Sequence, residues 1–460
     1  MNACMKRMVQ LAFLGLLAAA PGAARAEDDG DRELREPYIV AWAGDQDDKD
    51  SDFLAVIDAD RNSKTYGKVL RTYRLPEGID KHNEPHHMTH AVTPDCKLFA
   101  GGLMSGITYV FDLKDPLNIP PPKTLTPGAD YPFLLPDDFI VLPNRHVVGT
   151  YVGSLNLTSP GGVVEFDGQG NVLDLFPVGD DVTANPHGIT VKDDINRIVT
   201  SGFGVPITLF SAQRFNKIQT HTNVRIFDRT THQLLHVVEL PTGARFAASG
   251  GDLDQRENFA VMETSFFNGP GKTGFFASAM GGGGLFYCPD ATSSDPQCHL
   301  VFDYGFNSGP GRMLITRDDH YMIQPMTTIG LGGGTPKRMV VLDITDPMHP
   351  VQVDELRVDD PTTGGPHFAA FDRAERRIAW SDYFVDDFQI PVKVDGDHRL
   401  HLATFRDGKL KEDEKFRDEI DGQPGVNFNR LSWPHGASGN AKPHGLIFAP
   451  ARCTPAALGH

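Results

Sequence analysis

The chain is poor in the features that mark several common classes of protein. Five cysteines occur in 460 residues, with no Cys-x-x-Cys pair among them. Covalent c-type haem and a cysteine zinc site are therefore excluded. Basic residues are outnumbered, 43 Lys and Arg against 60 Asp and Glu, for a net charge of −17. Such a chain repels phosphate backbones, which excludes nucleic acid as a partner. Beyond the first 26 residues no stretch approaches the ~18 consecutive apolar residues of a membrane span. Long segments of helical period are missing as well. The glycine runs Gly281–Gly284 and Gly332–Gly334 precede no Gly-Lys-Ser/Thr, so they read as flexible loops and not as phosphate cradles. Ser201-Gly202-Phe203-Gly204 lacks the strand-to-helix setting of a nucleophile elbow.

What is present begins with an export signal. Lys6 and Arg7 precede an apolar run from Met8 to Ala20, and Ala24-Arg25-Ala26 forms a cleavage site before Glu27. The expected mature chain starts at residue 27, carries a net charge of −20, and lies in the periplasm without a membrane span. Its cysteines are Cys96, Cys288, Cys298 and Cys453. An oxidising compartment permits a Cys288–Cys298 bridge across a short loop, while spacing decides nothing about Cys96 and Cys453.

Glycine and proline together make up 81 of 460 residues, above the ~12% average and below the range of low-complexity chains. They punctuate a repeat. Apolar strands ending in an acid recur at Val56-Ile57-Asp58, Val110-Phe111-Asp112, Glu165-Phe166-Asp167, Ile226-Phe227-Asp228 and Val341-Leu342-Asp343, at intervals of 54, 55, 61 and 115 residues. The last interval is two periods, with Leu285-Phe286-Tyr287-Cys288 in the empty slot, and one further period reaches Leu402-Ala403-Thr404. The acids cap turns. Seven units of this length, each with an earlier hairpin, predict a single seven-bladed, all-β propeller over residues 27–460. Inner hairpins are expected to start near Gly188, Met313 and His367. The inner strand His444–Phe448 has no successors, and Tyr38–Arg74 supplies outer strands alone, so the two ends should share one blade.

Several of the 18 histidines fall in register with this repeat. Pro85-His86-His87, Pro186-His187-Gly188, Pro366-His367-Phe368 and Pro443-His444-Gly445 each open an innermost strand, which faces the central funnel. His367, His444 and His86/His87 belong to consecutive blades, and His187 lies two blades beyond. Singly, a Pro-His-Gly at a strand start is an ordinary hydrogen-bonded residue. Four blades together, with one adjacent pair, point to a metal held by His86, His87, His444, His187 and His367. Imidazoles without a carboxylate triad or facing thiolates favour copper, or zinc or another transition metal. His90 is expected inside the strand, His82 and His435 in loops before inner strands, and the remaining histidines at outer strands or turns. Glu84 precedes the pair and could orient one ring through its second N–H, or be an exposed turn acid.

The sequence resembles the selenium-binding protein and methanethiol oxidase family. Asp52-Phe53-Leu54-Ala55-Val56-Ile57-Asp58 carries the resemblance, as does Tyr73-Arg74-Leu75-Pro76 leading into Glu84-Pro85-His86-His87. So do Gly161-Gly162-Val163-Val164 with Phe166-Asp167-Gly168, Leu342-Asp343-Ile344-Thr345-Asp346-Pro347 with Pro350, Gly364-Gly365-Pro366 with Arg377, and Lys442-Pro443-His444. The resemblance implies a seven-bladed propeller and an oxidase that uses copper to convert methanethiol and oxygen to formaldehyde, hydrogen sulfide and hydrogen peroxide. Animal members carry a selenium-binding cysteine where this chain has Tyr66-Gly67, a histidine near Ile140, and Gln at His367. The residues matching the family's histidines are His86, His87 and His444, while His187 and His367 are this chain's own.

The expected function is oxidation of a small thiol by O2 at a funnel copper site. The alternative is a non-enzymatic periplasmic metal- or selenium/thiol-binding propeller. Nitrous oxide reductase, another copper propeller, needs a second copper domain for which no residues remain. A calcium lactonase needs Asp, Asn and Glu at funnel positions that here are His.

Overall fold

The computed structural model describes residues 36–177, 181–211, 218–241, 260–328, 337–358, 363–382, 398–437 and 439–454. The proposed signal segment and Gly332–Gly334 lie outside them. Within them the repeat becomes seven sheets of four or five strands. Six are meanders whose first strand is innermost, because short antiparallel connections join strands that are neighbours in sequence.

The first blade is closed by both chain ends: Ala441–Ala449 pairs with Tyr38–Asp45, which pairs with Phe53–Asp58 and then Val69–Arg74. The second blade starts at Pro85–Met88, the third at Phe133–Val141, the fourth at Pro186–Lys192 and the fifth at Ala260–Phe266. The seventh starts at Phe368–Phe371, one residue after His367. The hairpin expected near Met313 is present, Leu314–Ile315 pairing with Met322 and Ile323, but the sixth blade's inner strand has an earlier piece as well, Ser308–Pro310. The break has a steric cause. A Cβ on Gly311 would lie 1.9 Å from the His367 carbonyl oxygen, so the chain leaves its ladder where it presses on the seventh blade, and Arg312 N–H bonds that same oxygen at 3.1 Å.

Apolar faces of adjacent blades stack to form the core. Around the closed first blade, Trp42 packs on Tyr109 and Phe111 of the second at 5.5 and 5.7 Å between ring centroids, and its Nε1–H donates to Gly101 O at 2.8 Å. Buried side chains of this size contribute roughly 1.5–3 kcal/mol each. The repeated acids are turn caps, as expected: Asp58, Asp112, Asp167, Asp228 and Asp343 each accept backbone N–H groups from residues two to four positions on. Both cysteine pairs are bonded, Cys288–Cys298 and Cys96–Cys453. The second ties the segment after the closing strand to the hairpin of the second blade.

Two expectations are corrected here. Gly281–Gly284 is buried and hydrogen-bonded, with Gly281 N–H on Ser308 O at 2.9 Å, because the sixth blade's inner strand runs against it. And the strand Arg197–Gly202 is followed by a one-turn helix, Pro206–Ser211. Ser201 is nonetheless no elbow nucleophile, since it is buried inside the strand with its hydroxyl on Met262 O at 3.0 Å. Among the described residues no helix is long and apolar enough to cross a membrane.

Candidate metal centre

The inner strands share a local distortion at the positions that matter. Register against the neighbouring strand slips between Pro85 and Met88, between Pro136 and Phe139, and between Pro186 and Ile189. It slips again between the partners of Pro443 and Leu446. Proline donates nothing to a ladder, and the extra residue of a bulge re-aims the side chains beside it. After each proline comes a residue turned to the axis: His86, Asp137, His187 and His444, with His367 after Pro366 in the seventh blade.

All five predicted histidines meet at the axis. The rings of His86 and His87 stack at 4.3 Å between centroids, His444 lies 4.2 Å from His86 and 5.2 Å from His87, and His367 lies 5.0 Å from His444. His187 stands 5.9 Å from His87. Sequence reasoning missed a sixth member. Asp137, from the third blade, fills the gap between the second and fourth: its Oδ2 is 3.3 Å from both His86 Nε2 and His187 Nε2, and its Oδ1 is 3.1 Å from His87 Nδ1. It brings a carboxylate into a centre expected from its imidazoles, and Glu263 Oε1 stands 3.9 Å from His187 Nδ1 as well. The signal was present, since Pro136-Asp137 repeats the Pro-His register of the other blades; a search for histidine alone passed over it.

Every member is buried, between 0 and 4% exposed. Yet both ring nitrogens of His86 and of His87, and Asp137 Oδ1, make no hydrogen bond. Buried polar atoms are almost always satisfied, so a group of orphans this dense points to a missing ligand. Two overlapping triads, His86/His87/His444 and His86/Asp137/His187, each have their donor atoms within 4.8 Å of one another. Burial and the neighbouring His86 lower His87 to about 4. Burial, then the adjoining imidazoles, hold His367 and His444 well below the ordinary range. Burial likewise lowers His187. Burial opposes charge on Asp137, but the imidazoles around it prevail and keep its carboxyl well below the usual range. His87, His187, His367 and His444 are thus held toward neutral imidazole and Asp137 toward carboxylate, the protonation states metal ligands require. His187 is fixed in one tautomer, Nδ1–H donating to Met262 O at 2.9 Å with Nε2 toward Asp137.

The weaker candidates stay apart. His90 lies two residues past its strand, not inside it, and its Nε2 bonds Asp138 Oδ1 at 2.6 Å. His82 is exposed, and His435 Nδ1 bonds Thr72 Oγ1 at 2.6 Å. A cavity of about 790 Å³ is lined by His90, Glu263 and Arg312 among others, and Glu263 links it to the centre through His187, 3.9 Å away.

No protein-family model matches the chain. A methanethiol oxidase from a Hyphomicrobium species is 29% identical over 179 residues, which span 37% of this chain and 39% of that protein. The X-ray structure of a hypothetical selenium-binding protein from Sulfolobus tokodaii superposes with a TM-score of 0.69 at 16% identity, covering 89% of this chain and 93% of that one. The chain resembles the selenium-binding protein and methanethiol oxidase family. A periplasmic gluconolactonase from Pseudomonas aeruginosa also superposes, with a TM-score of 0.53 at 13% identity over 90% of this chain and 99% of that one. At such identities the structural likenesses speak for the propeller alone, and the link to methanethiol oxidase rests on the matched stretch.

Proposed function

We propose that the chain is an oxidase of a small thiol, with methanethiol, O2 and water converted to formaldehyde, hydrogen sulfide and hydrogen peroxide. The observation carrying this reading is the set of buried imidazoles whose nitrogens find no hydrogen-bond partner at His86 and His87. The donors fit copper: His86, His87 and His444 would hold it, with His187 or His367 completing the shell and Asp137 beside them. Bound copper supplies a soft position for a thiolate and one-electron exchange with oxygen. The chain's own part is to hold His87, His187, His367 and His444 neutral, to fix His187 through Met262 O, and to place the Asp137 carboxylate beside the donors. The chemistry runs in a buried site, where charge changes are felt strongly. The same reading has residues 1–26 removed and the remaining chain working in the periplasm as one domain, which the two disulfides support.

Asp137 favours a second metal. His86, His187 and Asp137 form a two-histidine, one-carboxylate set, the arrangement that suits non-haem iron. Elemental analysis of the exported protein, followed by oxygen uptake with methanethiol, tests both. Stoichiometric copper with thiol-dependent uptake is expected. Iron with uptake moves the assignment to the second triad. Metal without uptake leaves a binding protein, and absence of any transition metal ends the reading.

A further inference from the structure

The histidine centre has two unlike sides. Toward the cavity stand charged groups, with Arg312 donating from Nη1 to Ala369 O and Asp138 bonded to His90. Elsewhere at the centre is a small recess of about 20 Å³, in which His86, Asp137, His187 and His367 face only apolar side chains: Leu103, Leu135, Val152, Phe203, Leu209 and Met262. These six pack together as one buried cluster. Three features show that the wall is built and not incidental. Leu135 holds a φ of +63°, a costly conformation for a residue with a Cβ, at the bulge that also turns Asp137 inward. Phe203 lies against the His187 ring at 4.7 Å between centroids. And the helix Pro206–Ser211 is seated directly on the third blade, for a Cβ at Gly153 would come within 2.7 Å of Pro206 Cγ. That seating presses Leu209 into the recess.

A space of this size admits about one heavy-atom group beyond what the metal itself would hold. We propose that the recess is a size filter for the substrate's alkyl group, accepting one carbon and rejecting chains of three or more, with Leu209, Val152 and Met262 setting the limit. The inference rests on the thiol-oxidase reading for its ligand but concerns a different part of the molecule. A filter of this kind discriminates by packing: a chain too long for the recess must displace its wall, and one excess methylene already changes recognition by roughly tenfold or more. An open or polar site would instead bind longer alkyl thiols as well as short ones, or better.

Cobalt(II)-loaded protein under anaerobic conditions reads binding without turnover, through the thiolate-to-cobalt absorption band. Wild type should bind 1-propanethiol at least tenfold more weakly than methanethiol. Leu209→Ala should shrink that ratio to about threefold or less. Val152→Ala, from a different blade, should do the same and keeps the test open if the helix substitution unfolds the chain. Equal affinities in wild type, or an unchanged ratio in both folded variants, overturn the filter. Xenon pressed into crystals of metal-free Leu209→Ala protein gives a reading that needs no metal: occupancy beside Met262 is expected, and an empty recess overturns the proposal. Failure of the oxidase reading looks different, with the cobalt protein discriminating among thiols while the copper protein consumes no oxygen.

Discussion

Histidine occurs in two settings in this propeller, and the contrast shows what makes the axis special. Away from the axis three rings sit against acids: His146 and His232 both meet Glu165, at 2.6 and 3.1 Å, and His401 meets Asp382 and Glu412 at 3.2 and 3.1 Å. At His232 and His401 the carboxylates win. Burial disfavours charge on His232 and His401, but the acids outweigh it and raise both, His401 to about 9. At the axis Asp137 meets His86, His87 and His187, Glu263 stands 3.9 Å from His187, and burial prevails at His87, His187, His367 and His444. His232 and His401 are therefore held toward the cation, while burial holds His87, His187, His367 and His444 toward the neutral form. Composition counts them alike; their neighbours make them different.

The sharpest way to break this comparison is to remove an axial ring. His87→Ala, or His86→Ala, deletes a donor shared among the centre's contacts, and bound metal should fall to under about a tenth of the wild-type content, a loss on the order of 100-fold or more in affinity. An outer control, His146→Ala, should leave metal content unchanged. If the axial and outer variants retain metal equally, the division between the two settings has no chemical meaning. A smaller effect is expected at Asp137→Asn, which keeps the shape and removes the charge. Outer-shell carboxylates are typically worth 10–100-fold in metal affinity, and a chelator competition titration should show a loss in that range. An unchanged affinity would make Asp137 a bystander held by its bulge.

Much of this was legible in the sequence, for a physical reason: a propeller repeats its strand, turn and funnel positions at nearly constant spacing. The turn acids Asp58 to Asp343 marked the third strands, and the prolines before His86, His187, His367 and His444 marked the axis. What escaped notice depended on contacts between units. Asp137 escaped because its register, not its residue type, makes it axial. The broken inner strand at Gly311 follows from the His367 carbonyl of another blade. The Cys96–Cys453 bond joins residues 357 apart and depends on closure of the ring. The apolar recess draws on residues of at least four blades, none unusual alone.

The mildest effect tests the outer half of the comparison. His401 is half-buried, with its ring stacked on Trp380 at 4.9 Å and both nitrogens facing acids. Its folded-state value of about 9 lies above the ~6.5 of an unfolded histidine. The folded state therefore binds the extra proton, and the stabilisation is complete below about pH 6.5 and is lost as pH rises through about 9. A gain on the order of 2 kcal/mol is expected at pH 6 relative to pH 9.5. Denaturant unfolding at the two pH values measures it, and His401→Gln should flatten the difference. If the variant keeps the wild-type pH dependence, the proton lies elsewhere, and the outer histidines are neutral packing residues like any other buried ring.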